Sequence, residues 1–322
     1  RRHPDFGNLV PRDVASRAAK ERCDKGFGVN NTGLAVFLDF SEAINRLGKD
    51  VVAQRYGNLF DMYEEITDVS PYENPMMIYP AIHYTMGGIW VDYELMTSIK
   101  GLFAIGECNF SDHGANRLGA SALMQGLADG YFVLPYTIQN YLADQITVPR
   151  FSTDLPEFAA AEKAVQEKID WMMNIKGKKS VDSIHKELGH IMWEYVGMGR
   201  TAEGLKEGLK KLKEVRKEFE KELFIPGDKE GMNVELDKAI RLYDFITMGE
   251  LVAYDALNRN ESCGGHFREE YQTEEGEAKR DDENYFYVAC WEYQGSDEKE
   301  PVLLKEPLVY EAIKVQTRNY KS

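Results

Sequence analysis

The residues whose types and spacing could carry chemistry lie mainly in one run, residues 106–123, which reads GECNFSDHGANRLGASAL. An apolar, strand-like stretch precedes this run, and a long apolar helix is predicted to begin at about Ser121. A helix N-terminus presents backbone N–H groups without intrahelical partners, so it can bind an anionic oxygen or a polarised carbonyl of a ring cofactor. Arg117 lies at the mouth of this helix, where its guanidinium can hold a carboxylate through two parallel hydrogen bonds.

Each candidate also has a purely structural interpretation. A tight strand-to-helix turn with solvent-facing Arg and His side chains would explain residues 106–123 without a ligand. His83 precedes a glycine pair that lets the backbone approach a ligand, but a single histidine is more often a core or surface residue. Arg12 and Asp13 follow Pro11 at a predicted helix start, where Asp13 would stabilise the helix end and Arg12 would face solvent. The residues alone leave both interpretations open.

The elements around these candidates indicate an α+β protein. Strand-like residues 89–91 and 102–105, a glycine-rich loop and the helix from about Ser121 have the layout of a cofactor-binding α/β layer. Upstream, we predict a helix at residues 12–25, a strand at 35–40 and polar helices through residue 66.

Residues 155–258 change to a helical period, which predicts a helical bundle. Apolar residues recur at steps of three or four and so share one face of each helix: Leu205, Leu209, Leu212, Val215, Phe219 and Leu223 in one stretch, and Ile184, Leu188, Ile191 and Tyr195 in another. After this region we predict a small C-terminal unit with strands at residues 285–291 and 309–316.

Composition excludes several function classes. The 322 residues include 54 acidic and 39 basic side chains, a formal net charge of −15, and no extended basic tract, so nucleic acid is not an expected partner. The four cysteines stand far apart without metal-ligand spacing, so we expect no metal site. The sequence contains no stretch of about 20 apolar residues, so we predict no membrane span. Because the given sequence begins at Arg1 in a loop-like segment, we expect it to be a fragment of a longer protein.

Four motifs in series resemble the flavoprotein subunits of succinate dehydrogenases and fumarate reductases. They are PRDVASR at residues 11–17, HYTMGG at 83–88, GLFAIGE at 101–107 and HGANRLG at 113–119. The sequence of residues 82–92, IHYTMGGIWVD, is similar to the corresponding segment of the menaquinone-linked bacterial branch of this family. Residues 261–268, ESCGGHFR, resemble the family's SRGAHxR segment more weakly, and Cys263 stands where the family has Arg, so no role is carried onto it.

The resemblance implies roles for seven residues. In this family a hydride passes between a substrate carbon and the flavin while a proton passes at the adjacent carbon. The implied roles are proton transfer for Arg12, dicarboxylate binding for His83, Arg117 and Ala120, and flavin binding for Glu107, Ala122 and Leu123, the last two through backbone donors to the pyrimidine edge.

The resemblance also implies an organisation and a setting. Residues 1–75 would be part of a substrate-closing capping domain, 76–145 the C-terminal part of the FAD-binding domain, 150–260 a helical bundle and 261–322 a small C-terminal domain. The substrates would be succinate and fumarate, and the partners an iron–sulfur subunit and a membrane anchor subunit. These would hold the chain peripherally on the cytoplasmic side of the inner membrane.

A dinucleotide fingerprint Gly-x-Gly-x-x-Gly is missing from these 322 residues, so we expect the chain alone to bind FAD weakly or not at all and to be inactive. L-aspartate oxidase, which shares the His-Tyr-Thr and His-Gly-Ala-Asn-Arg patterns, is the alternative enzyme. A noncatalytic folded module is the alternative from another class. Both directions of the succinate–fumarate reaction use the same groups, so its physiological direction stays open.

Overall fold

A computed structural model describes residues 10–110, 113–117, 119–295 and 299–316. Within these residues the chain divides into two compact units, one ending at His83 and the other running from Tyr84 to Gln316. No helix among the described residues has the length and apolar character needed to cross a membrane. The fourfold domain division stays a prediction.

The first unit is a small α+β assembly. Its elements are α1 (Arg12–Arg22), extended by a π-helical turn (Cys23–Phe27), β1 (Val36–Leu38), α2 (Ser41–Leu47), α3 (Lys49–Thr67) and β2 (Met76–Ile78). β1 pairs with β2 in antiparallel register, Val36 opposite Ile78. Val52 and Phe60 of α3 form a buried core with Met76 of β2, and Phe40 packs edge-on against Phe60.

The second unit begins with an irregular segment that leads into two helices, α4 (Ser121–Ala128) and α5 (Leu134–Ala143), which are joined by a π-helical turn (Asp129–Val133). The predicted strands at residues 89–91 and 102–105 are wrong, because these segments form only the isolated bridges Ile89–Asn109 and Met96–Phe103. Turns interrupt the pairing. The Asp92 carboxylate accepts hydrogen bonds from the backbone N–H groups of Glu94 and Met96 and so folds the chain back between the two segments.

A helical bundle fills the middle of the second unit, as predicted. It consists of α6 (Pro156–Asn174), α7 (Val181–Ile191), α8 (Ala202–Glu222) and α9 (Val234–Asn258), with the short parallel pair β3 (Lys179–Ser180) and β4 (Leu223–Phe224). Side chains of Ser180, Thr201 and Asn233 accept backbone hydrogen bonds at the starts of α7, α8 and α9 and thereby cap them.

The predicted apolar stripes form the core of this bundle. Leu205, Leu212, Val215, Phe219 and Leu223 are buried, and Leu209 packs against them at partial exposure. On α7 the buried members of the stripe are Ile184, Leu188 and Ile191, and Tyr195 packs against the same cluster. Burial of apolar area of this extent is the main stabilising term for the bundle.

The C-terminal part carries a short helix, α10 (Asp282–Tyr285), and an antiparallel hairpin of β5 (Tyr287–Glu292) and β6 (Val302–Pro307). The first of the two predicted strands is confirmed with shifted ends, and the second, at residues 309–316, is wrong. β5 pairs with the nearer segment, which requires closing a shorter loop.

We predict that Phe219→Ala destabilises the chain by about 3–5 kcal/mol, because Phe219 is fully buried and its removal leaves a cavity in the bundle. Phe158→Ala is the matched control, since Phe158 on α6 is 51% exposed and its loss should change stability by no more than about 0.5 kcal/mol. Urea unfolding followed by circular dichroism measures both values. Equal losses in the two variants would contradict the placement of the core.

Candidate active site

A buried carboxylate joins the glycine-rich turn to helix α4. Asp129, 8% exposed, accepts hydrogen bonds at Oδ2 from the backbone N–H of Gly106 at 3.1 Å and from the amide of Asn109 at 3.2 Å. The Gln125 side-chain amide donates to the same oxygen. Gly106 has a φ of +77° and lies against Gly126, so that a Cβ built on Gly126 would be 3.6 Å from the Gly106 Cα. Glu107 is therefore held exposed in a one-turn 3₁₀ helix (Gly106–Cys108) beside α4.

Helix α4 starts from a strained residue. Ala120 has φ +63° and ψ −6°, a left-handed conformation that costs a non-glycine residue roughly 1–2 kcal/mol. None of the described side chains caps α4, and Ala122 and Leu123 occupy its first turn, where backbone N–H groups lack acceptors within the helix. Strained backbone is typical of binding sites. The resemblance implies that these N–H groups bind the flavin, and that role stays a prediction.

Arg117 is oriented by an aromatic ring. Its guanidinium carbon lies 4.4 Å from the centroid of the Tyr84 ring, a favourable cation–π distance. The ring of His113 stands edge-on to Tyr84, with centroids 6.1 Å apart. Nε2 of His113 and Oε1 of Gln125 are buried without a hydrogen-bond partner among the described residues. Buried polar atoms of this kind are normally satisfied by a ligand or by water.

The glycine pair after His83 has a role in chain packing. A Cβ at Gly88 would lie 2.6 Å from the carbonyl oxygen of Cys108, so only glycine fits against this backbone. The backbone N–H of Ile89 donates to that oxygen at 2.9 Å. Gly87, with a φ of +110°, has open space around its Cα.

Arg12 and His83 belong to the first unit, and both side chains are exposed. Arg12 is the first residue of α1, and its neighbour Asp13 forms an ion pair with Arg17 at 3.3 Å. The other predicted site residues, Glu107, Arg117, Ala120, Ala122 and Leu123, belong to the second unit. The catalytic and binding roles of all seven residues stay predictions.

Sequence reasoning assigned no role to an Arg–His pair that the structure brings together. Arg200 Nη1 lies 2.6 Å from His266 Nδ1, and because a guanidinium only donates, Nδ1 must accept. The proton of the neutral ring therefore sits on Nε2, which donates to the carbonyl oxygen of Arg259 at 2.9 Å. Burial and the Arg200 charge lower the pKa of His266 to about 4, and burial lowers the pKa of Arg200 to about 10.

A second buried arginine fixes the same segment to the bundle. Arg268, only 2% exposed, donates to the carbonyl oxygens of Ala256 at 3.0 Å and Leu257 at 3.3 Å, near the C-terminal end of α9. The Ser262 hydroxyl exchanges hydrogen bonds with the Arg268 backbone. A cation at a helix C-terminus is favoured by the helix dipole. The only signal in the sequence for this anchoring is the weak resemblance of residues 261–268.

Two family models and several curated proteins match this chain. A family described as "FAD binding domain" matches residues 1–123, and one described as "Fumarate reductase flavoprotein C-term" matches residues 185–320. The chain is 33% identical over 271 residues to the succinate dehydrogenase flavoprotein subunit of Bacillus subtilis, covering 84% of this chain and 45% of that protein. It is 32% identical over 286 residues to the fumarate reductase flavoprotein subunit of Escherichia coli, covering 87% and 44%.

The structure of E. coli quinol fumarate reductase is similar at a TM-score of 0.78 and 27% identity, covering 95% of this chain and 50% of that one. These matches place the chain among FAD-binding flavoproteins. Within that class, it belongs to the family of succinate dehydrogenase and fumarate reductase flavoprotein subunits. The chain spans about half the length of the curated relatives it matches.

We predict that the stability of the chain falls as the pH drops from about 7 to about 5, in part because of His266. Its folded pKa of about 4 is below the value of about 6.5 expected after unfolding, so the unfolded chain binds more protons in this window. The contribution is about 2 kcal/mol across these two pH units. His266→Gln, which can still accept from Arg200, should flatten this part of the dependence, whereas exposed His185→Gln should not. Identical pH profiles in urea unfolding of both variants would refute the assignment.

Proposed function

We propose that the complete subunit containing this chain interconverts succinate and fumarate with FAD. The observation that carries this proposal is the Arg117 guanidinium over the Tyr84 ring, four residues before the start of α4, because it places an oriented cation just upstream of backbone donors in a chain of this family. The proposal therefore joins family membership to a local geometry that suits an anionic substrate.

The residues at the glycine-rich turn fit the polar edge of a flavin. A flavin ring edge presents both carbonyl oxygens and an N–H group, and α4 supplies N–H donors at Ala122 and Leu123, while Glu107 supplies an exposed acceptor. The Asp129 hydrogen bonds fix the turn relative to the helix, which keeps donors and acceptor in one arrangement. Bound FAD would supply the redox chemistry, taking or giving the hydride.

A dicarboxylate needs cationic or hydrogen-bonding groups at both ends. We propose that Arg117 holds one carboxylate through two hydrogen bonds and that His83 and the backbone of Ala120 contribute to binding. Contact with the Tyr84 ring restrains the guanidinium before substrate arrives, which would lower the entropy cost of binding. His83 is the residue directly before Tyr84 in the sequence.

Arg12 would move the proton. A guanidinium is ordinarily protonated at neutral pH, so it can take a proton from carbon only if neighbouring groups relay protons and the site excludes water. Asp13 and Arg17 already form an ion pair on the same helix. The relay itself would be completed by parts of the subunit beyond these 322 residues.

We propose that an iron–sulfur subunit and a membrane anchor subunit are partners, with the assembly on the cytoplasmic side of the inner membrane and linked to menaquinone. The similarity to quinol fumarate reductase supports this setting. Exposed large apolar side chains on and between α4 and α5 also support additional covering structure: Leu123, Met124, Tyr131, Phe132 and Tyr136. L-aspartate oxidation is the second candidate reaction, because residues 83–85 and 113–117 also match that enzyme.

We predict that Arg117→Lys in the complete subunit lowers kcat/KM for succinate by a factor corresponding to about 2–4 kcal/mol, with little change in melting temperature. Lysine keeps the charge but cannot form the paired hydrogen bonds. Exposed Arg150→Lys is the matched control and should keep full activity. Near-normal turnover by the Arg117 variant would remove this residue from the site. Turnover of L-aspartate in place of succinate would favour the second candidate reaction.

We predict that the 322-residue polypeptide, purified by itself, is folded and colourless. The diphosphate of a flavin dinucleotide normally rests on a glycine-rich strand-to-helix turn, and this sequence contains none with the fingerprint spacing. Contacts from Glu107 and the first turn of α4 would then be the only ones to offset the entropy that FAD loses on binding. An absorbance spectrum with a flavin band at one equivalent per chain, together with succinate-dependent dye reduction, would contradict this prediction.

A further inference from the structure

Residues 263–266 form a tight turn against the loop that carries Arg117. We infer that this 263–266 turn is a positioning element for the 113–117 loop, and hence for the carboxylate-binding guanidinium; the inference rests on the proposed function. The 263–266 turn is not itself a candidate for contact with substrate. Its effect would pass through the backbone of Ala115.

The contact is backbone to backbone and leaves no room for a side chain. The Gly265 N–H donates to the Ala115 carbonyl oxygen at 2.8 Å. Gly264 has a φ of +59°, and a Cβ built on it would lie 1.9 Å from that oxygen and 2.8 Å from the Ala115 Cβ. Such distances mean that any residue other than glycine at position 264 must push the 113–117 loop away or deform the turn.

The 263–266 turn can position the loop because it is itself rigidly held. Cys263 and His266 exchange backbone hydrogen bonds at 2.8 and 3.1 Å, which closes the turn. The His266 ring is fixed on both nitrogens, by the Arg200 guanidinium and by the Arg259 carbonyl oxygen. Arg200 precedes α8, and Arg259 follows α9 directly. The bundle therefore serves as the fixed base of the turn.

Ring contacts also hold this loop. The Arg117 guanidinium lies over the Tyr84 ring, and His113 contacts the same ring. Ala115 lies two residues from Arg117, so a displacement of its carbonyl is transmitted to the guanidinium. A shift on the order of 1 Å in a substrate-binding group can cost about 100-fold in rate.

The test uses two variants of Gly264 in the complete FAD-containing subunit. Gly264→Ala adds both backbone strain and the colliding Cβ. Gly264→Asn adds the same Cβ but tolerates a left-handed conformation, so it isolates the collision and is more certain to fold. Gly276→Ala is the matched control, because Gly276 has a φ of +80° in the same region and its added Cβ would come no closer than 3.6 Å to the Gln272 side chain.

The readouts are flavin content, melting temperature, kcat/KM for succinate and calorimetric affinity for malonate, a dicarboxylate whose single methylene carbon cannot be dehydrogenated. We expect both Gly264 variants to retain flavin, to lose on the order of 100-fold in kcat/KM and to bind malonate at least about 10-fold more weakly than the Gly276→Ala control. Hydrogen exchange of residues 113–117 should be faster in the Gly264 variants alone.

The outcomes distinguish a failure of the positioning role from a failure of the proposed function. If the unmodified subunit binds malonate but Gly264→Asn binds it equally well, the positioning role is overturned while the proposed function stands. If the unmodified subunit neither binds malonate nor oxidises succinate, the proposed function is overturned. If the unmodified subunit is inactive in this way but hydrogen exchange of residues 113–117 is still faster in the Gly264 variants, the 263–266 turn supports the structure of the loop and has no role in substrate binding.

Discussion

The candidate site depends on one buried carboxylate. Burying a charged group is costly unless hydrogen bonds replace its water, and the Asp129 oxygen receives them from Gly106, Asn109 and Gln125. Two of these donors belong to the glycine-rich turn, and the third belongs to α4. The Asp129 oxygen therefore receives all three hydrogen bonds only when the turn packs against the helix as it does in this structure. The carboxylate therefore makes local folding of the turn and docking of the helix interdependent.

We infer that the bundle positions the loop that carries Arg117 by a different means. Arg200 and His266 form a cation–neutral pair, in which burial and the neighbouring charge favour the unprotonated imidazole. An imidazolium there would face a guanidinium at hydrogen-bond distance. The pairing therefore selects a single tautomer and, through it, one conformation of the turn that meets Ala115. The bundle is in this way connected to the loop that carries Arg117.

The sequence predicts those parts of the structure that are specified by local periodicity. The stripe from Leu205 to Phe219 repeats at helical spacing, and burial of that stripe needs no knowledge of distant residues. The strand predictions at 102–105 and 309–316 failed because a strand is defined by its partner, and apolar character alone does not identify one. For the site, motif resemblance supplied candidate residues but no geometry. The Arg200–His266 pair joins residues 66 positions apart; His266 lies in the weakly resembling 261–268 segment, but nothing in the sequence pairs it with Arg200.

Electrostatics explain why restraint of the Arg117 side chain matters for the proposed function. The formal net charge of these 322 residues is −15, which would oppose the approach of the proposed dianionic substrate, although screening limits this opposition beyond about 8 Å at physiological ionic strength. Within that range, binding depends on the few cationic groups at the site, and their orientation decides whether attraction becomes paired hydrogen bonds. A long, flexible arginine loses much of this advantage through side-chain entropy unless it is held in advance. The Tyr84 ring restrains the Arg117 guanidinium, while the backbone at Ala115 restrains the loop from which that side chain extends. In the proposed function, restraint at these two levels would lower the entropy cost of binding a dicarboxylate.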